Sequence, residues 1–206
     1  MYATLELCIA ALAITDSGDF VETGIFTGGT ASLMILALLE FDNCGRKFWG
    51  FDSFEGLPSS SIEDKSEYGV TMAQGELSFD YDSVVKNLKD WKVWDEKVVI
   101  LTKGYFNETL PKSTVSQISF LRLDGDLFVS TWDALVNLYP KVTPGGFVYI
   151  DDYGSFPGCR QAVDQYRSKH HIFEPLHFVR DTPIMGHIQF EAVWWQKRKH
   201  SKDRTL

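Results

Sequence analysis

In 173-FEPLHFVRDTPIMGHIQFEAVWWQK-197, two strand-like runs, 173-FEPLHFV-179 and 188-IQFEAVWWQK-197, stand only eight residues apart. That gap is too short for a crossover helix, so the runs predict neighbouring antiparallel strands. The chain before them alternates differently. A helix over about residues 1–17, with Leu5, Cys8, Ile9 and Leu12 on its apolar face, leads to strand 19-DFVETG-24, helix 30-TASLMILALLEF-41 and strand 47-KFWGFDS-53. A polar stretch from Ser59 to about Ser78 reads as a loop over a site. The pattern resumes with helix 81-YDSVVKNLKDW-91, strand 97-KVVIL-101, strand 118-ISFLRLD-124, helix 130-STWDALVNLYPK-141, strand 146-GFVYID-151 and helix 159-CRQAVDQYRSK-169. Alternation of this kind predicts an α/β fold, a mostly parallel sheet with helices on both faces.

Composition bounds what such a chain does. Its 206 residues, 44% hydrophobic, suffice for one sizeable core, so residues 1–206 read as a single domain with a solvated basic tail over about 197–206. A net charge of -8 argues against a nucleic-acid partner held by phosphate neutralisation. Cys8, Cys44 and Cys159 are an odd number without CxxC spacing, which disfavours a disulfide framework or structural zinc and points to reduced thiols in the cytoplasm. The run 8-CIAALAI-14 is too short to span a bilayer, so no membrane partner is expected. Oligomeric state stays open, a homo-oligomer included.

Seven strands with the last inserted antiparallel is the Rossmann-like arrangement of class I methyltransferases. Ligands of open α/β sheets bind beyond the carboxyl ends of the strands, where this chain repeatedly places acids. The segment 21-VETGIFTGGTAS-32 runs strand, acid, glycine turn, helix start; glycines such as Gly24 and Gly28 let backbone approach a ligand, and Glu22 suits a cationic group such as methionine's ammonium. Phe26 occupies the second glycine position of the dinucleotide fingerprint, which demotes NAD. Asp52 closes the next strand, where a carboxylate can accept from both ribose hydroxyls of a nucleoside. As alternatives, the loop is a tight turn and Asp52 a cap on 52-DSFEG-56.

Further along, 121-LRLDGD-126 and 147-FVYIDD-152 end two consecutive strands joined by one helix. Such strands normally lie side by side, which brings Asp124 to the Asp151/Asp152 pair. Three converging carboxylates call for a hard divalent cation, magnesium, manganese or calcium. The bland alternatives are that Asp152 caps a turn and that Asp126 is a solvated loop acid. His177 and His187 flank the late hairpin and are weak candidates for an acceptor pocket; Trp194 and Trp195 read as packing.

The blocks 20-FVETGIFTGGT-30, 49-WGFDSFEGLP-58, 104-GYFNETLP-111, 122-RLDGDLFVST-131 and 144-PGGFVYIDDYGSFPGCRQAV-163 resemble the macrocin O-methyltransferase (TylF/MycF-type) family, metal-dependent enzymes that methylate sugar hydroxyls of natural products. The resemblance implies that Glu22, Thr23, Gly24, Ser32, Asp52 and Ser53 surround S-adenosylmethionine. It also implies that Asp124, Asp151 and Asp152 hold the metal, with Asp124 as general base. The chain has Phe26-Thr27 where the family pattern has Trp-Arg, and Phe128-Val129 where it has Tyr-Glu. Six-fold coordination with three carboxylates and one or two waters leaves about two positions, which suits a vicinal diol on a sugar or a catechol. The rivals are a catechol-type O-methyltransferase, an NAD-dependent oxidoreductase, disfavoured also by the absence of a Tyr-x-x-x-Lys pair, and a non-catalytic binding module.

Overall fold

Successive residues of a strand point to opposite faces of its sheet, and here both faces are apolar. The computed structural model describes residues 2–65, 72–180 and 190–198. Seven strands, β1 (Asp19–Thr23), β2 (Phe48–Asp52), β3 (Val99–Lys103), β4 (Ile118–Leu123), β5 (Val142–Ile150), β6 (His177–Arg180) and β7 (Phe190–Gln196), form one sheet in the order β3-β2-β1-β4-β5-β7-β6. Only β7 runs antiparallel, against both β5 and β6. Phe20, Phe120 and Phe147 pack on one face under helices α1 (Tyr2–Ile14), α2 (Gly29–Phe41) and α3 (Tyr81–Asp90). Val21, Leu121 and Val148, each the next residue along, pack on the other under α5 (Phe128–Leu138) and α6 (Pro157–Lys169), while α4 (Phe106–Thr109) is a single turn after β3. Every residue of β4 is buried, as a central parallel strand covered on both sides requires.

The strand order reverses between β1 and β4, so two loops diverge there and leave a crevice. Gly24, at φ +84°, closes β1 against the β4 end; a Cβ at that position would lie 1.6 Å from the Asp124 carbonyl oxygen. Only glycine fits this crossing.

Several sequence expectations shift. The buried face of α1 is Thr4, Leu7, Cys8 and Ala11, whereas Ile9 is exposed; a helix that is apolar nearly all round gives periodicity no face to choose. Strand β5 begins at Val142, because Pro144 and Gly145 lie inside a strand with a register shift between Ile118 and Phe120, not in a turn before it. Helix α5 starts at Phe128. Lys197 is no frayed end: its Nζ donates to the carbonyls of Val142 (2.8 Å) and Tyr139 (3.2 Å). The three cysteines are free, Cys8 and Cys159 buried and Cys44 exposed. Among the described residues no helix is long and apolar enough to cross a membrane.

A buried arginine fastens α1. Arg46 pairs with Asp42 (3.2 Å) and donates to the Thr15 carbonyl (2.5 Å), the Thr15 hydroxyl (3.0 Å) and Ser119 Oγ (3.3 Å). The carbonyls left over at the end of α1 thereby find donors.

Candidate active site

Three adjacent strands, β2, β1 and β4, each end in a turn whose non-glycine residue takes a left-handed conformation: Phe54 (φ 55°), Phe26 (φ 47°) and Asp126 (φ 56°). Backbone held in this sparsely populated region marks functional turns, and Phe26, Asp126 and the residues flanking Phe54, Ser53 and Gly56, line a single cavity of about 640 Å³. Asp52 sets the geometry of two of these turns. Its Oδ2 accepts from the amides of Ile25 (2.6 Å) and Phe26 (3.2 Å), and its Oδ1 from the amide of Phe54 (2.6 Å).

Of the residues expected around a cofactor, Gly24, Asp52 and Ser53 line the cavity. The structure does not bring the others to it. Glu22 and Thr23 are buried within β1, Gly28 is the left-handed N-cap of α2, and Ser32 donates back to the Gly29 carbonyl (2.6 Å). These four shape the loop from behind. Of the stretch expected to loop over the site, Ser59, Gln74 and Leu77 line the cavity, and residues 66–71 fall outside the described residues. Its first part is pinned by Asp64, which accepts from the Phe128 amide at the start of α5 (2.6 Å) and from the Ser61 amide (2.7 Å). On the far wall Phe128 stacks on Trp132, with Asp133 beside them.

Parallel pairing of β4 with β5 sets Leu123 beside Ile150 and so delivers Asp124 next to Asp151. The carboxylates that converge most closely are those of Asp124, Asp126 and Asp152, with one oxygen from each within 4.8 Å of the others. Asp151 is not in that group: its Oδ1 faces Arg122 Nη2 at 2.7 Å. Asp126, weighed as a solvated loop acid, is instead part of the cluster, and its amide donates to Asp152 Oδ2 (3.0 Å). An all-oxygen donor set of this kind matches a hard divalent cation.

Charge crowding shows in the proton affinities. Burial, reinforced by Asp124 and Asp151, pushes the Asp126 carboxyl up to about 7. Burial and the neighbouring aspartates push Asp152 well above the usual carboxylate range. Glu22 is pushed up to about 8, chiefly by burial, with Arg122 pulling the other way.

Arg122 is the residue that sequence reasoning missed. It is buried in β4, and its Nη1 reaches both Glu22 Oε1 (2.9 Å) and Asp124 Oδ2 (2.6 Å). A lone arginine inside the apolar run 118-ISFLRL-123, two residues from Asp124 and therefore on the same side of the strand, was the available signal. His177 lies away from the main cavity, stacked on Trp194 with ring centroids 4.1 Å apart, and lines a separate cavity of about 280 Å³. His187 falls outside the described residues. Trp195 is fully buried, as expected.

Known proteins resemble this chain in sequence and fold. The model of the macrocin O-methyltransferase (TylF) family matches residues 3–197. The demethyldecarbamoylnovobiocin O-methyltransferase of Streptomyces niveus is 39% identical over 185 residues, which cover 88% of this chain and 67% of that protein. A tetracenomycin-C 4'-O-methyltransferase of Streptomyces olivaceus, acting on an 8-demethyl-8-(2,3-dimethoxy-alpha-L-rhamnosyl) compound, is 36% identical over 184 residues, 87% of this chain and 70% of that one. The solved structure of the O-methyltransferase NovP superposes with a TM-score of 0.83 at 33% identity, over 96% of this chain and 79% of that one. With its family model matched over nearly its whole length, the chain belongs to the macrocin O-methyltransferase family and is an S-adenosylmethionine-dependent O-methyltransferase.

Proposed function

We propose that this enzyme methylates a sugar hydroxyl of a glycosylated natural product, with magnesium or another divalent cation at its acidic cluster. The observation that carries the reading is the double membership of Asp124. The same carboxylate lines the 640 Å³ cavity and belongs to the acidic group. A methyl donor in the cavity and an acceptor oxygen at the cluster would therefore meet at this residue. The printed names of the relatives, a novobiocin-type and a rhamnosyl-tetracenomycin O-methyltransferase, favour a sugar-bearing acceptor.

Gly24, Asp52 and Ser53 are assigned to contact with the donor; Glu22, Thr23, Gly28 and Ser32 support the loop behind it. Asp124 and Asp152 of the acidic group, and Asp151 beside it, are assigned to the cation, with Asp126 as the group's further acid. When bound, such an ion lowers the pKa of a coordinated hydroxyl and fixes its orientation. Asp124 takes the hydroxyl proton as the oxygen's lone pair forms the new O–C bond; the S–CH3 bond breaks, its electron pair stays on sulfur, and S-adenosylhomocysteine leaves. Pro58, Ser59, Gln74 and Leu77, together with the Phe128–Trp132 wall, exclude water from the methyl group. Two coordination positions left for substrate favour a vicinal diol.

Thermal unfolding with S-adenosylhomocysteine, with NAD and with buffer alone, each with and without magnesium, tests the reading. Stabilisation by S-adenosylhomocysteine and by magnesium, and none by NAD, is expected. Stabilisation by NAD alone would replace this reading with an oxidoreductase.

A further inference from the structure

Arg122 sits where two sites meet, 5% exposed, and carries three carboxylates on one guanidinium. Glu22 lies on β1 behind the glycine loop; Asp124 and Asp151 are two of the three acids assigned to the cation. The contacts to Asp124 and Asp151, at 2.6 and 2.7 Å, are charge-assisted and short, so each of these acids has one oxygen committed to arginine. The contact to Glu22 is longer, 2.9 Å, and incomplete. Glu22 Oε2 and Arg122 Nε are both buried without a hydrogen-bond partner. An unmatched buried carboxylate oxygen is costly, and the nitrogen that would complete a two-pronged fork beside Nη1 is Nη2, which Asp151 occupies.

We propose that Arg122 is the resident counter-ion of the acidic site, and that a divalent cation loads by exchange: Asp124 and Asp151 pass from the guanidinium to the ion, and the guanidinium closes onto both oxygens of Glu22. The inference rests on the metal reading given above. It accounts for two features together. Glu22 is buried away from the cavity because its partner is an arginine. Asp151 stands outside the closest acidic group because Arg122 holds it.

The exchange makes arginine a competitor, which gives its removal a definite sign. Manganese titrated into the whole protein and followed by the paramagnetic resonance of the free ion reads the affinity directly, without turnover. Arg122→Met should bind manganese about tenfold tighter or more, because a unit charge next to two ligands is gone. Glu22→Gln should bind it more weakly, since the displaced guanidinium loses its destination. In Arg122→Met/Glu22→Gln the second change should matter little, because its effect acts through the arginine. The double variant also avoids an unpaired buried glutamate, so it provides the answer if Arg122→Met does not fold. Affinity in the folded double variant equal to or weaker than wild type would overturn the exchange and leave Arg122 a structural support of its ligands. Absence of manganese binding to the wild-type protein would instead remove the metal reading, and the exchange with it.

Discussion

The carboxylate of Asp52 holds three backbone amides, those of Ile25, Phe26 and Phe54, and faces the cavity as well. Asp52→Ala is expected to weaken S-adenosylhomocysteine binding roughly tenfold to a hundredfold, the worth of lost hydrogen bonds to a charged group, and to leave manganese affinity nearly unchanged. Calorimetric titration of both ligands checks this, and equal losses would mean that the residue is misplaced. Asp124→Asn should lower turnover by about 10²-fold to 10⁴-fold while cofactor affinity falls far less; near-normal turnover at saturating magnesium would remove Asp124 from the mechanism. That Asp52 and Asp124 line the cavity and that Asp152 joins the acidic group was legible because each closes an apolar strand, and strand ends are where such sheets bind ligands. What the sequence could not show is which carboxylates point at one another. Asp126 joins the cluster through a left-handed turn, and Asp151 is drawn aside by Arg122. Glu22 was assigned to the ammonium on its position before Gly24, yet its place inside β1 turns it toward Arg122.

Elements were legible where a period or a spacing fixed them. The eight-residue gap gave the antiparallel β6–β7 pair, and single intervening helices gave parallel β4–β5. Periodicity failed on α1, which is apolar on nearly every side, and on α4, whose four residues make one turn. The docking of α1 depends on Arg46, a residue after α2 that no local pattern connects to the first helix. Arg46→Met leaves the Asp42 carboxylate, 6% exposed, without its counter-ion and with only the residue 46 backbone amide (2.8 Å) as donor. Breaking a buried pair from one side costs about 3–5 kcal/mol, to be read from urea unfolding, with S-adenosylhomocysteine affinity per folded molecule unchanged. A loss below about 1 kcal/mol would mean that α1 is held by its apolar contacts alone.

Across the molecule, which carries a net charge of -8, five acids and Arg122 meet at one place, the carboxyl edge of β1, β4 and β5. Asp126 at about 7, against 3.8 for an ordinary aspartate, keeps a proton in the folded protein that the unfolded chain has released. Its contribution is complete below the unfolded value and is lost as pH rises through the folded one. The metal-free protein should therefore unfold at progressively lower temperature from about pH 5 to about pH 7, with magnesium flattening the decline; a rising temperature over that interval would contradict the assignment. The cavity wall is the least legible part, since it draws on Ser59, Gln74 and Leu77 and on the start of α5, whose side chains follow no period. The most direct test of the whole account is transfer of radiolabelled methyl from S-adenosylmethionine to a glycosylated acceptor of the novobiocin type, compared in EDTA and after magnesium is restored. The account predicts that label reaches the sugar with magnesium, falls at least about 10²-fold in EDTA and returns on adding the ion back. Equal rates with and without EDTA would contradict it.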